Sequence, residues 1–142
     1  MTTMEANMGK LADQYNETEI YILEDGWDDS VFGIAALSAT REEIEDIDQA
    51  ALHTHAAFER LLRLELLQLG DLLRADEAAA QGIDPEGYDM VFVPWPGGIE
   101  GMSTRLHELL TEPDAESRCG FWAVTTPEGK RIGDALLEEK GR

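Results

Sequence analysis

The chain has 142 residues, with 30 acidic and 11 basic side chains and a formal net charge of −19. That length predicts one domain, able to bury about two thirds of its unfolded surface without disulfides or metal. A charge of this size repels nucleic-acid backbone and anionic membrane, and the single Cys119 has no partner within the chain, as expected in a reducing cytoplasm.

Residues 1–9 lack the basic and apolar regions of a signal peptide, and no apolar run approaches the ~20 residues that cross a bilayer. The expectation is therefore an unexported, cytoplasmic protein. Residues 1–18 read as a flexible or short-helical N-terminal segment and residues 19–140 as a single α+β domain.

Glu19-Ile20-Tyr21-Ile22-Leu23-Glu24 reads as a strand and Ser30 to Leu37 as its partner, a hairpin joined through Asp25-Gly26-Trp27-Asp28-Asp29. Four carboxylates, Glu24, Asp25, Asp28 and Asp29, surround Trp27 there. Their spacing lacks the alternating oxygen ligands and the distant bidentate Glu of a calcium loop, so an acidic contact surface with an aromatic anchor is the expectation.

Thr40 and Glu43 form a capping-box pattern that starts a long helix at Arg41. At 100° per residue, Ile44, Ile47, Ala51, Phe58, Leu62, Leu66, Leu69 and Leu73 fall on one face. Forty helical residues would span ~60 Å, too long for a compact domain of this size, whose radius of gyration is about 14 Å. A break is expected near Asp46 and Asp48, each able to cap a new start, with Gly70 the second candidate. Leu52, Leu64 and Leu67 point away from the stripe and suggest burial under other elements or a homodimer seam. Glu65 lies inside the stripe, the one anomalous buried charge expected.

Gln81-Gly82 ends that helix, and Tyr88 to Val93 reads as a third strand, stopped by Pro94-Trp95-Pro96-Gly97-Gly98. A helix follows from Ile99 to Leu110; a phosphate cradle at its start is disfavoured, since Glu100 occupies the anion position. Cys119 to Thr125 is the fourth strand, and Thr126-Pro127-Glu128 starts a last helix through Glu139. The order ββαβαβα predicts an α+β fold: a four-stranded mixed or antiparallel sheet with a long central helix and two shorter helices on one face.

No catalytic or metal constellation is expected. His53 and His55 diverge by about 200° on a helix. His55, with Glu59 one turn on, reads as a core-edge histidine, and Ser103, Thr104 and His107 lack the third member of a nucleophilic triad. Cys119 reads as a buried inert thiol. A small enzyme would need Glu65, His55 or His107 to converge in a pocket.

Phe121 to Arg131, a strand ending in Thr126-Pro127-Glu128-Gly129-Lys130, followed by Ile132 to Leu137, resembles the wing-to-helix segment of winged-helix regulators of the MarR and PadR type. The resemblance implies a DNA-groove role for Ile99 to Leu110. That helix offers Arg105 and His107 against Glu100 and Glu108, and the net charge opposes phosphate binding.

The charge is uneven. Between Leu11 and Asp48 twelve acids face one base, Arg41. Solubility alone, halophilic adaptation and a functional acidic face all produce acidity, and clustering favours the last. The leading expectation is a non-enzymatic, cofactor-free interaction protein whose Glu24, Asp25, Trp27, Asp28, Asp29, Glu42, Glu45 and Asp46 engage a basic protein, such as a nucleic-acid-binding complex, without touching nucleic acid or membrane. Functionally that would resemble nucleic-acid-mimicking inhibitors, such as anti-CRISPR or anti-restriction proteins of phages, or acidic immunity proteins. A degenerate winged-helix regulator, or a scaffold dimerising through Leu52, Leu64 and Leu67, is the alternative.

Overall fold

Local capping decides the first element. Asn16 accepts from the Glu19 amide and Glu19 accepts from the Asn16 amide, a complete capping box that starts helix α1, Glu17–Asp25. The computed structural model describes residues 10–26 and 30–141. Glu19 to Glu24 is therefore helical, not the expected hairpin strand. The expected boundary between residues 18 and 19 also falls inside α1. A short 3-10 turn, Leu11–Gln14, precedes it.

The chain continues as β1 (Val31–Phe32), α2 (Gly33–Thr40), α3 (Ile47–Arg63), β2 (Leu67–Arg74), α4 (Ala75–Ala80), β3 (Met90–Pro94), α5 (Gly98–Leu109), α6 (Ala115–Arg118), β4 (Trp122–Thr125) and α7 (Pro127–Glu139). Only two residues of the expected second strand are extended; Gly33–Thr40 is helix. The predicted break near Asp46 is present, with Asp46 accepting from the Asp48 and Gln49 amides to cap α3. The long helix ends at Arg63, because Leu64 and Glu65 turn the chain into β2, Glu65 at a left-handed φ of 62°. Gly70 lies within that strand rather than at a helix break.

All strand pairs are antiparallel, in the order β1-β4-β2-β3. Alternation sorts the sheet into two faces. Val31, Ala123, Leu69, Leu67 and Thr125 are buried under the helices, whereas Phe32, Trp122, Val124, Leu72 and Phe92 lie on the opposite face, half-buried. Phe32 and Trp122 stack there, ring centroids 4.5 Å apart. The α+β fold with a four-stranded sheet is as expected, while the hairpin and the continuation of the long helix through residues 64–74 are not.

The core is centred on Phe121, with the Phe58 ring edge-on at 4.9 Å and Trp95 at 6.0 Å. Helix α1 packs on α7, α2 and α3. Among the described residues no helix is long and apolar enough to cross a membrane.

Candidate functional site

An acidic groove lies between α1 and the turn after α2. It is an open groove of about 250 Å³, with Ile20 and Tyr21 beside the carboxylates of Glu17, Glu24, Glu42 and Glu43. Two separate stretches supply the acids: one face of α1, and the residue 41–46 connection that joins α2 to α3. Lys140, just beyond α7, is the one base lining the groove among the described residues.

Three buried threonines hold those walls. Thr18 Oγ1 and Thr40 Oγ1 lie 3.0 Å apart, linking α1 to the end of α2. Thr40 donates to the Ala36 carbonyl at 2.8 Å, so it accepts from Thr18. Thr54 Oγ1, on α3, lies 3.1 Å from Thr40 Oγ1 and 2.8 Å from the Ala50 carbonyl, so its single proton is shared between them. Glu19, 3 % exposed, anchors the same helix to α3 through Arg60 Nη1 at 2.7 Å.

Within the groove, Lys140 Nζ donates to Glu24 Oε1 at 3.0 Å, and Glu24 Oε2 is buried with no hydrogen-bond partner. Burial and then the nearby Asp25 charge push the Tyr21 phenol above its ordinary range, so it stays a neutral donor. Glu42 and Glu43 are exposed.

The acidic residues singled out in the sequence divide into groups. Glu24 and Glu42 meet in the groove. Asp46 is spent on capping α3, and the neighbouring Asp48 pairs with Arg118 at 2.9 Å. Glu45 and Asp25 are exposed. Trp27, Asp28 and Asp29 lie outside the described residues. Glu17 was not singled out, because the strand reading of residues 19–24 hid the helical face that brings it to one side with Glu24; Glu43 was read as half of a capping box starting a helix at Arg41, whereas Thr40 is the last residue of α2 and no helix starts there.

Glu65 is exposed, not buried: the left-handed turn swings it out of the stripe, and its carbonyl accepts from Thr126 Oγ1. Leu67 is buried in β2, which removes it from any dimer seam. Leu52 and Leu64 are exposed but, with Leu64 the residue that closes α3 twelve positions on, lie about 120° apart around its axis, so they do not form one stripe.

The histidine and serine residues meet in a structural network. Ser103 Oγ donates to Glu59 Oε2 at 2.8 Å, and His107 Nε2 lies 2.9 Å from Glu59 Oε1. Arg63 adds bonds to Glu59 and Glu100, each at 2.8 Å. Burial alone would raise the Glu59 carboxyl, but the Ser103 and Arg63 hydrogen bonds and the His107 charge outweigh it and hold the group low. Glu59 thus separates Ser103 from His107 and ties α3 to α5. The carboxylate that Ser103 donates to is also held by Arg63 and has its pKa lowered, which makes it a poor proton acceptor for a nucleophile.

His55 and His107 line one mainly apolar depression of about 290 Å³ with Leu52, Ala56, Glu59 and Leu110, and Glu65 is not among its walls. His55 Nε2 is 2.6 Å from the Arg118 carbonyl and must carry the proton, since a carbonyl only accepts. Its Nδ1 is buried without a partner. Burial pushes the Cys119 thiol up to about 12, so it is a protonated core group at neutral pH. Among the described residues no group of three or more His, Cys, Asp or Glu could hold a metal ion.

Comparison of the chain with protein-family profiles, with curated proteins and with solved structures returned no match.

Proposed function

We propose that this protein is a non-enzymatic interaction module whose acidic groove takes a basic segment of a partner protein. One observation carries the reading: Glu17 and Glu24 from α1 and Glu42 and Glu43 from the α2–α3 turn line a single groove beside Ile20 and Tyr21. A lysine or arginine entering it finds carboxylates on both walls and apolar surface for its methylene stem. The net charge of −19 steers a basic partner over a distance that salt shortens. A partner that normally grips nucleic acid presents such a surface, so occupation of that surface would compete with the nucleic acid.

The test is capture of partners by the tagged protein at low and high salt, beside Glu17→Gln/Glu42→Gln/Glu43→Gln. A basic protein held at low salt, released at high salt and lost by a variant that melts like the parent supports the proposal. Retention of the same protein by the variant overturns it.

A second reading, a degenerate winged-helix regulator, is favoured by the order of the elements. Helix α1, strand β1, the pair α2–α3, then β2 and β4 with β1 beside β4, resembles the arrangement of such regulators. On that resemblance the groove-reading helix is α3, not residues 99–110. Yet α3 begins with Asp46 and Asp48, and α5 and α6 are bonded to it through Glu59–Ser103, Arg63–Glu100 and Asp48–Arg118. Where a DNA reader presents bases to phosphate, this turn presents acids. Salt-sensitive binding to a random DNA duplex, measured by fluorescence anisotropy, would favour the second reading over the first.

A further inference from the structure

Strand β3 closes one side of the sheet, with β2 its only strand neighbour among the described residues. The bonds from Trp95 N to Leu69 O and from Ala75 N to Asp89 O fix which residues face β2. In an antiparallel pair, bonding direction alternates residue by residue, so positions 89, 91, 93 and 95 turn their backbone groups inward. Met90 and Phe92 then direct their N–H and C=O groups outward, together with the carbonyl of Pro94. Among the described residues no backbone hydrogen bond joins this outer row to another element.

An open strand edge invites another strand unless charge, proline or a bulge blocks it. Met90-Val91-Phe92-Val93-Pro94 carries no charge, and its proline comes last. Two of the large apolar side chains most exposed in the molecule, Met90 at 44 % and Tyr88 at 69 %, stand at this end of the sheet. On a chain of net charge −19, this strip offers nothing for a basic or acidic partner to pair with. What it matches is an uncharged strand edge like itself.

We infer that the free edge of β3 pairs antiparallel with the same edge of a second copy, joining two four-stranded sheets across a two-fold axis at Phe92. The donor and acceptor pattern is self-complementary in that register. Each Phe92 N–H meets the other Phe92 C=O, and each Met90 N–H meets the Pro94 C=O opposite. Pro94, lacking an N–H, leaves only the Met90 carbonyl to water. The two Asp89 residues stand about 20 Å apart along the shared edge at ~3.4 Å per residue, well beyond the ~8 Å screening length at physiological salt. Phe92, Leu72 and Trp122 of each copy then form one apolar outer face running across the axis.

Analytical ultracentrifugation from micromolar to millimolar concentration, with amide hydrogen exchange on the same samples, tests this. The expected result is a monomer–dimer equilibrium, shifted toward dimer as salt rises from about 0.1 M to about 1 M and screens the acidic copies. Exchange at Met90 and Phe92 slows about tenfold or more in step with it. Met90→Pro removes an outward N–H that makes no bond inside the chain, and Phe92→Lys puts a charge on the axis; each is expected to leave the melting curve near that of the parent and abolish the dimer. Should one of them unfold the chain, the other and the exchange data of the parent still decide. A monomer under every condition overturns the inference, as does a dimer whose Met90 and Phe92 amides exchange at the monomer rate. A chain that stays monomeric but protects those amides when an extended apolar peptide is added would assign the edge to a peptide, and would equally overturn it.

Discussion

Thr18 and Thr40 meet through their hydroxyls at 3.0 Å, and that contact ties the two walls of the acidic groove together. Thr40 is the hub, since Thr54 reaches the same oxygen from α3. Thr40→Val keeps the shape and removes the oxygen, leaving the buried Thr18 hydroxyl without that partner. The expected cost is about 1–3 kcal/mol, which lowers the melting temperature by about 3 °C per kcal/mol for a domain of this size. Thr40→Ser should recover most of it. Equal loss in both variants would show that the methyl group, not the hydroxyl, holds the junction.

Stability should fall as pH drops through the histidine range, and His55 is the reason. Burial lowers its pKa, although its bond to the Arg118 carbonyl works the other way. The folded chain therefore holds the neutral ring while the unfolded chain protonates near pH 6.5. The unfolded state binds the extra proton, so this contribution is fully present above about pH 6.5 and is lost as pH falls toward the depressed folded value. Urea midpoints at pH 7.5 and pH 5.5 check it. His55→Gln, which can still donate to the Arg118 carbonyl, should flatten that part of the profile.

Two glycines separate a contact from a conformation. A Cβ on Gly129 would stand 2.0 Å from the Leu66 carbonyl oxygen, a backbone atom that cannot step aside. Gly129→Ala is expected to cost about 3 kcal/mol or more, or to displace α7 from β2. Gly82 has nothing within 4 Å of the same atom but sits at φ +80°. Gly82→Ala should cost about 1 kcal/mol, the strain of a left-handed backbone alone. Chemical denaturation of the pair measures the difference.

Cys119 should be silent to thiol reagents in the folded protein. Its side chain is buried and its thiol is held protonated to about 12. A chromogenic disulfide should react only at the rate at which the chain opens, and at the full rate in denaturant. Rapid labelling in native buffer would show that the α6–β4 junction opens readily.

Much of this architecture was legible because capping chemistry is local. Asp46 before α3 and Thr126-Pro127 before α7 mark their helix starts unaided. Short apolar runs were not. Ile20, Ile22 and Leu23 fit a strand as well as one helical turn, and the Asn16–Glu19 box that decides between them lies just outside the run. Leu66 and Leu69 fit a helical stripe at one spacing, and Leu67 and Leu69 the buried face of β2 at another; the left-handed turn at Glu65 settles it, and a glutamate does not advertise that conformation. The acidic bias was visible in the composition. The groove was not, since it depends on α1 being a helix and on where Thr40 docks.

One of the two inner strands of the sheet, β4, is the last of the four described strands to occur in the chain. β4 bridges β1 and β2, and its residue Ala123 lies opposite Val31 on one side and Leu69 on the other. During synthesis β2 and β3 can pair as soon as both emerge, but β1 has no neighbour until residue 125 has left the ribosome. The buried face of Leu67 and Leu69 stays uncovered by β4 for the same interval. Completion of the core is therefore a late, long-range event, of the kind that slows folding and leaves apolar edges open to other chains while it waits.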